Sequence, residues 1–282
     1  PRAGAPPVFS REGGFSGEPF DLELAAAAPG AAIHYTLGGS EPTERSAQYA
    51  GPLRIEPGED RSSGPVVRAR ATGEGGETRA VVPPTYFVGE GFAAGHALPA
   101  FSLAMDKADL FDREFGIYHG RNESQTGWLW ERPVSVEFFE PSGRRALNAD
   151  GGVRIHGGSS REHKQKSLRL YARPEYGPSD AFRYPFFPGL KKTGSGEPLA
   201  EFKTLVLRNS GNDRETLFRD VLMQGLVEHS PELETQSSRP VRVYLNGMYW
   251  GLYNLRERHD EYYLAAYYDV APGRVAILEQ DA

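Results

Sequence analysis

Between Val153 and Tyr171 the chain reads V-R-I-H-G-G-S-S-R-E-H-K-Q-K-S-L-R-L-Y. Gly157, Gly158, Ser159 and Ser160 separate two strand-like segments. Consecutive small residues of this kind let backbone N–H groups converge on an anion, as phosphate-cradling loops do. On the outgoing segment Lys164, Lys166, Leu168 and Leu170 share parity, so Lys166 is expected on the face of two core residues. An unpaired buried ammonium is costly, so this lysine must find a partner or reach a cleft. Phosphoryl transfer uses such a lysine on the α- and β-phosphates. The plainer reading is a hairpin with a snorkelling lysine, and Lys164 is the rival candidate. The glycines and lysines stand in the wrong order for a Walker A loop, which excludes a P-loop.

Two further groups invite chemistry. L-V-L-R-N-S-G-N-D-R-E-T-L-F-R-D, Leu205–Asp220, reads as a strand ending in a polar turn before a helix. Helix N-termini attract anions, so Arg208 and Arg219 could support a phosphate or a carboxylate. Equally, Asn212 and Asp213 could simply cap, with Glu215 and Arg219 as an i,i+4 surface pair. Glu215 also stands where a helix could offer a carboxylate to Lys166. The third group, L-R-E-R-H-D-E at Leu255–Glu261, is either a solvated turn or the mouth of a site. Glu257 is its candidate cleft residue, pairing with the lysine or facing a ligand. His156 and His163 lie near the glycine pair, but without positioned Ser and Asp partners they make a poor hydrolase triad.

The elements that must position these groups follow from periodicity. Arg239–Glu257 reads as a β-hairpin: Val241, Val243 and Leu245 alternate, Asn246-Gly247 suits a type I′ turn, and Tyr249, Trp250 and Tyr253 return. Arg132–Phe139, Leu98–Met105, Arg154–His156, Lys166–Tyr171 and Leu205–Leu207 read as further strands. Glu215–Glu228 reads as the one long helix, with Leu217, Phe218, Val221, Leu222 and Leu226 as its apolar stripe and Asn212 with Glu215 as a capping box. Ahead of these, residues 6–88 carry short alternating strands with regular turn signals, the pattern of a small sandwich. The expected organisation is an all-β module over 1–89, a linker over 90–97 with its hinge at Gly89–Gly91, and an α+β domain over 98–282.

At 282 residues two domains are expected, and Gly 33 with Pro 22 suits a turn-rich β protein. A net charge of −6 argues against a nucleic-acid partner bound through bulk charge. No apolar run reaches the ~18 residues of a membrane span. With Cys 0, disulfides, thiolate zinc sites and cysteine nucleophiles are excluded. No metal motif is present, so no metal-ligating residue is nominated. Position 1 is Pro and no signal peptide opens the chain; a trimmed native N-terminus is expected.

Three blocks in order, Arg154–Tyr171, Leu205–Asp220 and Arg239–Glu257, resemble the CotH family of atypical protein kinases known from bacterial spore coats. The resemblance covers roughly residues 97–282. It implies ATP-dependent phosphorylation of protein Ser/Thr side chains with Mg²⁺ or Mn²⁺, and an extracellular or cell-surface setting. It further implies a nucleotide-facing role for Lys166 and a near-constant acidic position at Glu257. The family's catalytic and metal-binding acids are expected downstream of Ala282, so Asp281 is not nominated as one. A non-catalytic adhesive or structural role, as in some relatives, is the alternative. I-H-Y-T-L-G-G-S-E-P-T, Ile33–Thr43, together with Tyr49 and the closing T-Y-F-V, resembles the chitobiase/β-hexosaminidase C-terminal-like module, an immunoglobulin-like accessory domain; Gly38 stands where that family usually has Asp. Such a module serves either as a rigid spacer or as a cell-wall or carbohydrate contact.

Overall fold

The computed structural model describes residues 6–58, 63–73, 76–77, 83–93, 95–192, 194–213, 215–228, 230, 233–268 and 270–278. Asp281 and Ala282, together with the first two residues of the expected Val81–Val88 strand, lie outside the described residues. The chain forms two compact units, one of residues 1–122, 133–150 and 242–251 and one of residues 123–132, 151–241 and 252–282.

Seven strands make up the principal sheet: β1 (Ala100–Ala104), β2 (Arg132–Phe139), β3 (Arg145–His156), β4 (Ser167–Tyr171), β5 (Thr204–Arg208), β6 (Ser238–Leu245) and β7 (Met248–Arg256). Their order is closed, β1-β2-β3-β4-β5-β7-β6.

In the first unit, β1 pairs antiparallel with β2 and parallel with β6 (Ala100↔Arg242, Leu103↔Leu245). All five residues of β1 are buried, so both of its faces are covered. The turn between β6 and β7 has Asn246 at φ 50° and Gly247 at φ 81°, the two left-handed positions that a type I′ turn requires. The Asn246 side-chain oxygen accepts from Met105 N at 2.8 Å, and Gly247 O accepts from Gly64 N at 2.9 Å. The N-terminal β module builds its own core from Leu22, Leu24, Ile33, Ile55, Val67 and Tyr86, among others. Its largest sheet runs Ala47–Gln48, Ala32–Thr36, Arg68–Gly73, Gly76–Glu77. The expected linker contains a short helix, Glu90–Ala93, whose Phe92 is 4 % exposed and packs with Phe87, Phe139 and Tyr244.

In the second unit, β3 pairs with β4, β4 with β5, and β5 with β7, all antiparallel. Their alternation sends Val153, Ile155, Leu168, Leu170, Leu205, Leu207 and Leu255 to a buried apolar face. The opposite face carries Arg154, His156, Arg169, Arg208 and Arg256.

Helix content is small. The long helix α1 spans Arg219–Val227, not Glu215–Glu228. Leu217 sits at φ 61°, outside helical space, so no helix runs through it. The proposed capping box does not form; Asp213 accepts from Arg219 N instead, and from the Thr216 hydroxyl. The apolar stripe does not enter a core either, since α1 buries no residue and Leu222 and Leu226 are 49 % and 71 % exposed. Helix α2, Glu261–Tyr268, starts where Asp260 Oδ1 accepts from the N–H groups of Tyr262 and Tyr263, both at 3.1 Å.

Candidate functional site

The glycine pair opens a 3₁₀ turn, Ser159–Glu162, at the end of β3. Gly157 lies at φ 110°, and a Cβ there would come within 2.5 Å of Ser160 Oγ, so the turn needs glycine at this position. Gly157, Gly158, Ser159 and Ser160 line a cavity of about 190 Å³ together with His156, Ser167, Arg208 and Asn209. Asn209 fixes its far wall. The Asn209 Oδ1 accepts from Ser167 Oγ at 2.8 Å and from Gly211 N at 3.0 Å, while its Nδ2 donates to Gln165 O at 2.6 Å.

Lys166 shares a buried side with Leu168 and Leu170, and it is 4 % exposed. Its ammonium donates to the Glu123 carboxylate, to Arg161 O and, at 3.0 Å, to His163 O. Arg161 in turn donates to the carbonyls of Glu123 and Gln125 at 2.9 and 3.1 Å. Lys166 and Arg161 thus clamp the 123–125 segment under the glycine turn. The carboxylate that meets Lys166 is Glu123, which the sequence reading did not nominate; Glu215 is exposed. Lys164 is exposed as well.

A second cavity, of about 170 Å³, shares His156 and Arg208 with the first and adds Val206, Gln236, Arg256, Glu257, Arg258 and His259. Arg256 is 1 % exposed and donates to Asp220 and to Gln236 O; Arg208 Nε stands 3.6 Å from the same Asp220 carboxylate. Burial and then the positive charges of Arg258, Arg169, Arg161 and Arg208 push the His156 pKa down to about 3. Burial is the larger cause, and the four arginines add to it in the same direction.

Glu257 is buried and lines this cavity. Its carboxylate accepts from Ser237 N at 3.0 Å and from the Tyr267 hydroxyl at 3.0 Å, and burial raises its pKa. It is therefore engaged with Ser237 and Tyr267, while Lys166 is engaged with Glu123. Glu257 and Arg258 continue into a third cavity of about 380 Å³, whose apolar wall includes Leu199, Phe202, Tyr262 and Tyr263 and whose rim includes Lys203 and Asp260. Among the described residues no three His, Asp or Glu side chains converge as a metal-ligand set.

Residues 153–281 match the family model described as CotH kinase protein, and residues 22–86 match the one described as Fn3 associated. The second unit's glycine turn, clamped lysine and cationic cavities all fall within, or directly contact, the first of these spans. The chain thus carries a segment similar to the CotH kinase proteins, preceded by one similar to the Fn3-associated family. The comparison with curated proteins gave no match.

Proposed function

We propose that the CotH region binds ATP and that the protein takes part in ATP-dependent phosphorylation of protein Ser/Thr side chains at the cell surface or outside the cell. The observation that carries this reading is the run of three adjoining cavities on the cationic side of the β3-β4-β5-β7 sheet. The first two, linked by His156 and Arg208, suit a chain of phosphates: N–H groups of the glycine turn on one side, guanidinium forks on the other. The third, reached past Glu257 and Arg258, has the size and apolar wall of a nucleobase slot. Lys166 then acts at one remove, holding the glycine turn through Arg161 O and His163 O rather than standing in the cavity. Mg²⁺ or Mn²⁺ would supply charge neutralisation of the phosphates, and no described residue is assigned to it.

Titration with a fluorescent ATP analogue tests the reading. Charge-assisted hydrogen bonds to phosphate are worth about 1.5–3 kcal/mol, so Arg208→Gln should weaken binding at least about tenfold. Lys107→Ala, a control on a helix of the first unit, should not. Equal affinity for all three proteins would sink the cationic-cavity assignment. Absence of ATP binding would favour an adhesive or structural role, for which the exposed Phe218, Leu222, Met223 and Leu226 are the supporting observation.

A further inference from the structure

A groove of about 420 Å³ runs along α1. One wall is a single helix face, Val221, Gln224, Gly225 and Glu228, at spacings i, i+3, i+4 and i+7. The facing wall is the 187–191 loop, and the floor is the 235–238 segment leading into β6. Seven residues of helix at 1.5 Å each make the groove about 10 Å long. That length matches about three residues of extended chain.

Three observations point to an occupant. Gly225 lies inside α1, where glycine is a poor helix residue. A Cβ there would meet nothing within 4 Å, so no contact within the described structure requires glycine. With Gly189 on the opposite wall, it leaves room for a main chain to approach closely. Next, Ser238 Oγ is buried at the groove with no hydrogen-bond partner among the described residues. Last, the groove meets the cationic cavity at Gln236, which lines both. The connection is a hydrogen-bonded relay: Gln236 N donates to Gln224 Oε1 at 2.7 Å, Gln224 Nε2 donates to Asp220 Oδ1 at 3.3 Å, and Asp220 holds Arg256.

We infer that this groove receives an extended, hydroxyl-bearing peptide segment, the acceptor, and presents it at the Gln236 end of the cationic cavity. The inference rests on the nucleotide reading for what occupies that cavity. Lys191 and Glu228 stand on opposite walls and, among the described residues, no cationic cluster lines the groove, so a second phosphate compound is not the favoured occupant. Glycines on both walls and a backbone floor suit a main chain.

The test uses the whole chain with two probes measured in parallel, immobilised dephosphorylated casein as an unfolded Ser/Thr-rich acceptor, and a fluorescent ATP analogue. Gly225→Trp fills the groove and should weaken casein binding at least about tenfold, with ATP affinity within twofold of the parent. Gly225→Ala should weaken casein binding by a smaller factor than the Trp variant and leave Tm unchanged or raised. Glu228→Trp, at the exposed end of the same face, should repeat the block and guards against a folding defect in the first variant. Casein held equally by both Trp variants, or not held by the parent chain, overturns the groove. If casein binding falls on filling the groove while no protein binds ATP, the nucleotide reading fails and the peptide groove stands.

Discussion

Each compact unit buries an ionic cluster, and the two are built to opposite ends. In the first unit Glu137 is 1 % exposed; it accepts from Thr85 N at 2.8 Å and from Arg145 at 3.1 Å, and Arg145 reaches Glu12 at 3.5 Å. The Thr85 and Ser102 hydroxyls close the rim at 2.7 Å. The carboxylate, the guanidinium and the two hydroxyls each have a partner, and the cluster ties the N-terminal module to β2. In the second unit Arg208, Arg256 and Arg258 gather around an open cavity that His156 also lines, and burial first, with Arg258 and Arg208 among the added charges, lowers the His156 pKa. The first cluster ties two segments of its unit together, whereas the second lines the cavity in which the proposed phosphates would sit.

The comparison can be broken by mutation. The largest effect should come from Glu137→Ala, which leaves the Thr85 N–H and the Arg145 guanidinium without their buried acceptor and should cost about 3–5 kcal/mol in chemical denaturation. A cost below about 1 kcal/mol would mean the cluster is not structural. Next is Lys166→Ala, expected at about 2–4 kcal/mol because Glu123 loses its cation and the glycine turn its clamp. Unchanged stability with lost ATP binding would instead return Lys166 to the cavity.

The pH response sharpens the contrast. The Glu137 pKa is raised to about 7 by burial, so between about 4.5 and 7 the folded state holds more protons than the unfolded chain and stability falls as pH rises. His156 is lowered to about 3, so between about 6.5 and 3 the unfolded chain holds more protons and stability falls as pH drops. The two slopes oppose each other from pH 4.5 to 6.5. Glu137→Gln should expose the acid-side loss alone, and His156→Gln the alkaline-side loss alone, in Tm against pH. Pyrophosphate should raise the His156 pKa in an NMR titration; no movement would count against an anion in the cavity. The smallest effect belongs to Arg54→Ala, whose pair with Asp21 is exposed on both sides and should be worth under about 0.5 kcal/mol.

Much of the frame was legible from alternation and turn chemistry. Arg132–Phe139 reads as a strand and forms one with those ends, and Asn246-Gly247 takes the two left-handed positions its residue types favour. The helix was overread because apolar spacing cannot reveal that Leu217 is pulled out of helical space. Its carbonyl accepts from Asn254 Nδ2, 37 positions away, at 2.7 Å and from the Ser210 hydroxyl at 3.2 Å, contacts that apolar spacing does not signal. Glu123 was invisible for the same reason, being one acid in a polar loop 43 positions from Lys166. The cationic face did leave a trace: Arg154, Arg169 and Arg256 alternate with Ile155, Leu168, Leu170 and Leu255, placing guanidiniums on a shared pleat. Only the pairing of β3, β4, β5 and β7 turns that alternation into a site.

The parallel pairing of β1 with β6 has a consequence for synthesis. Ala100 waits for Arg242, 142 positions later, before the sheet order can close. At ribosomal rates of about 5–20 residues per second, that interval is on the order of ten seconds. Throughout it, Phe101 and Leu103 can be covered on the β2 side alone, and the other edge of β1 stays open to any passing strand. Sequence-distant closure of this kind slows folding. Faster translation through residues 100–242 should therefore improve the soluble yield of this chain more than equal acceleration elsewhere.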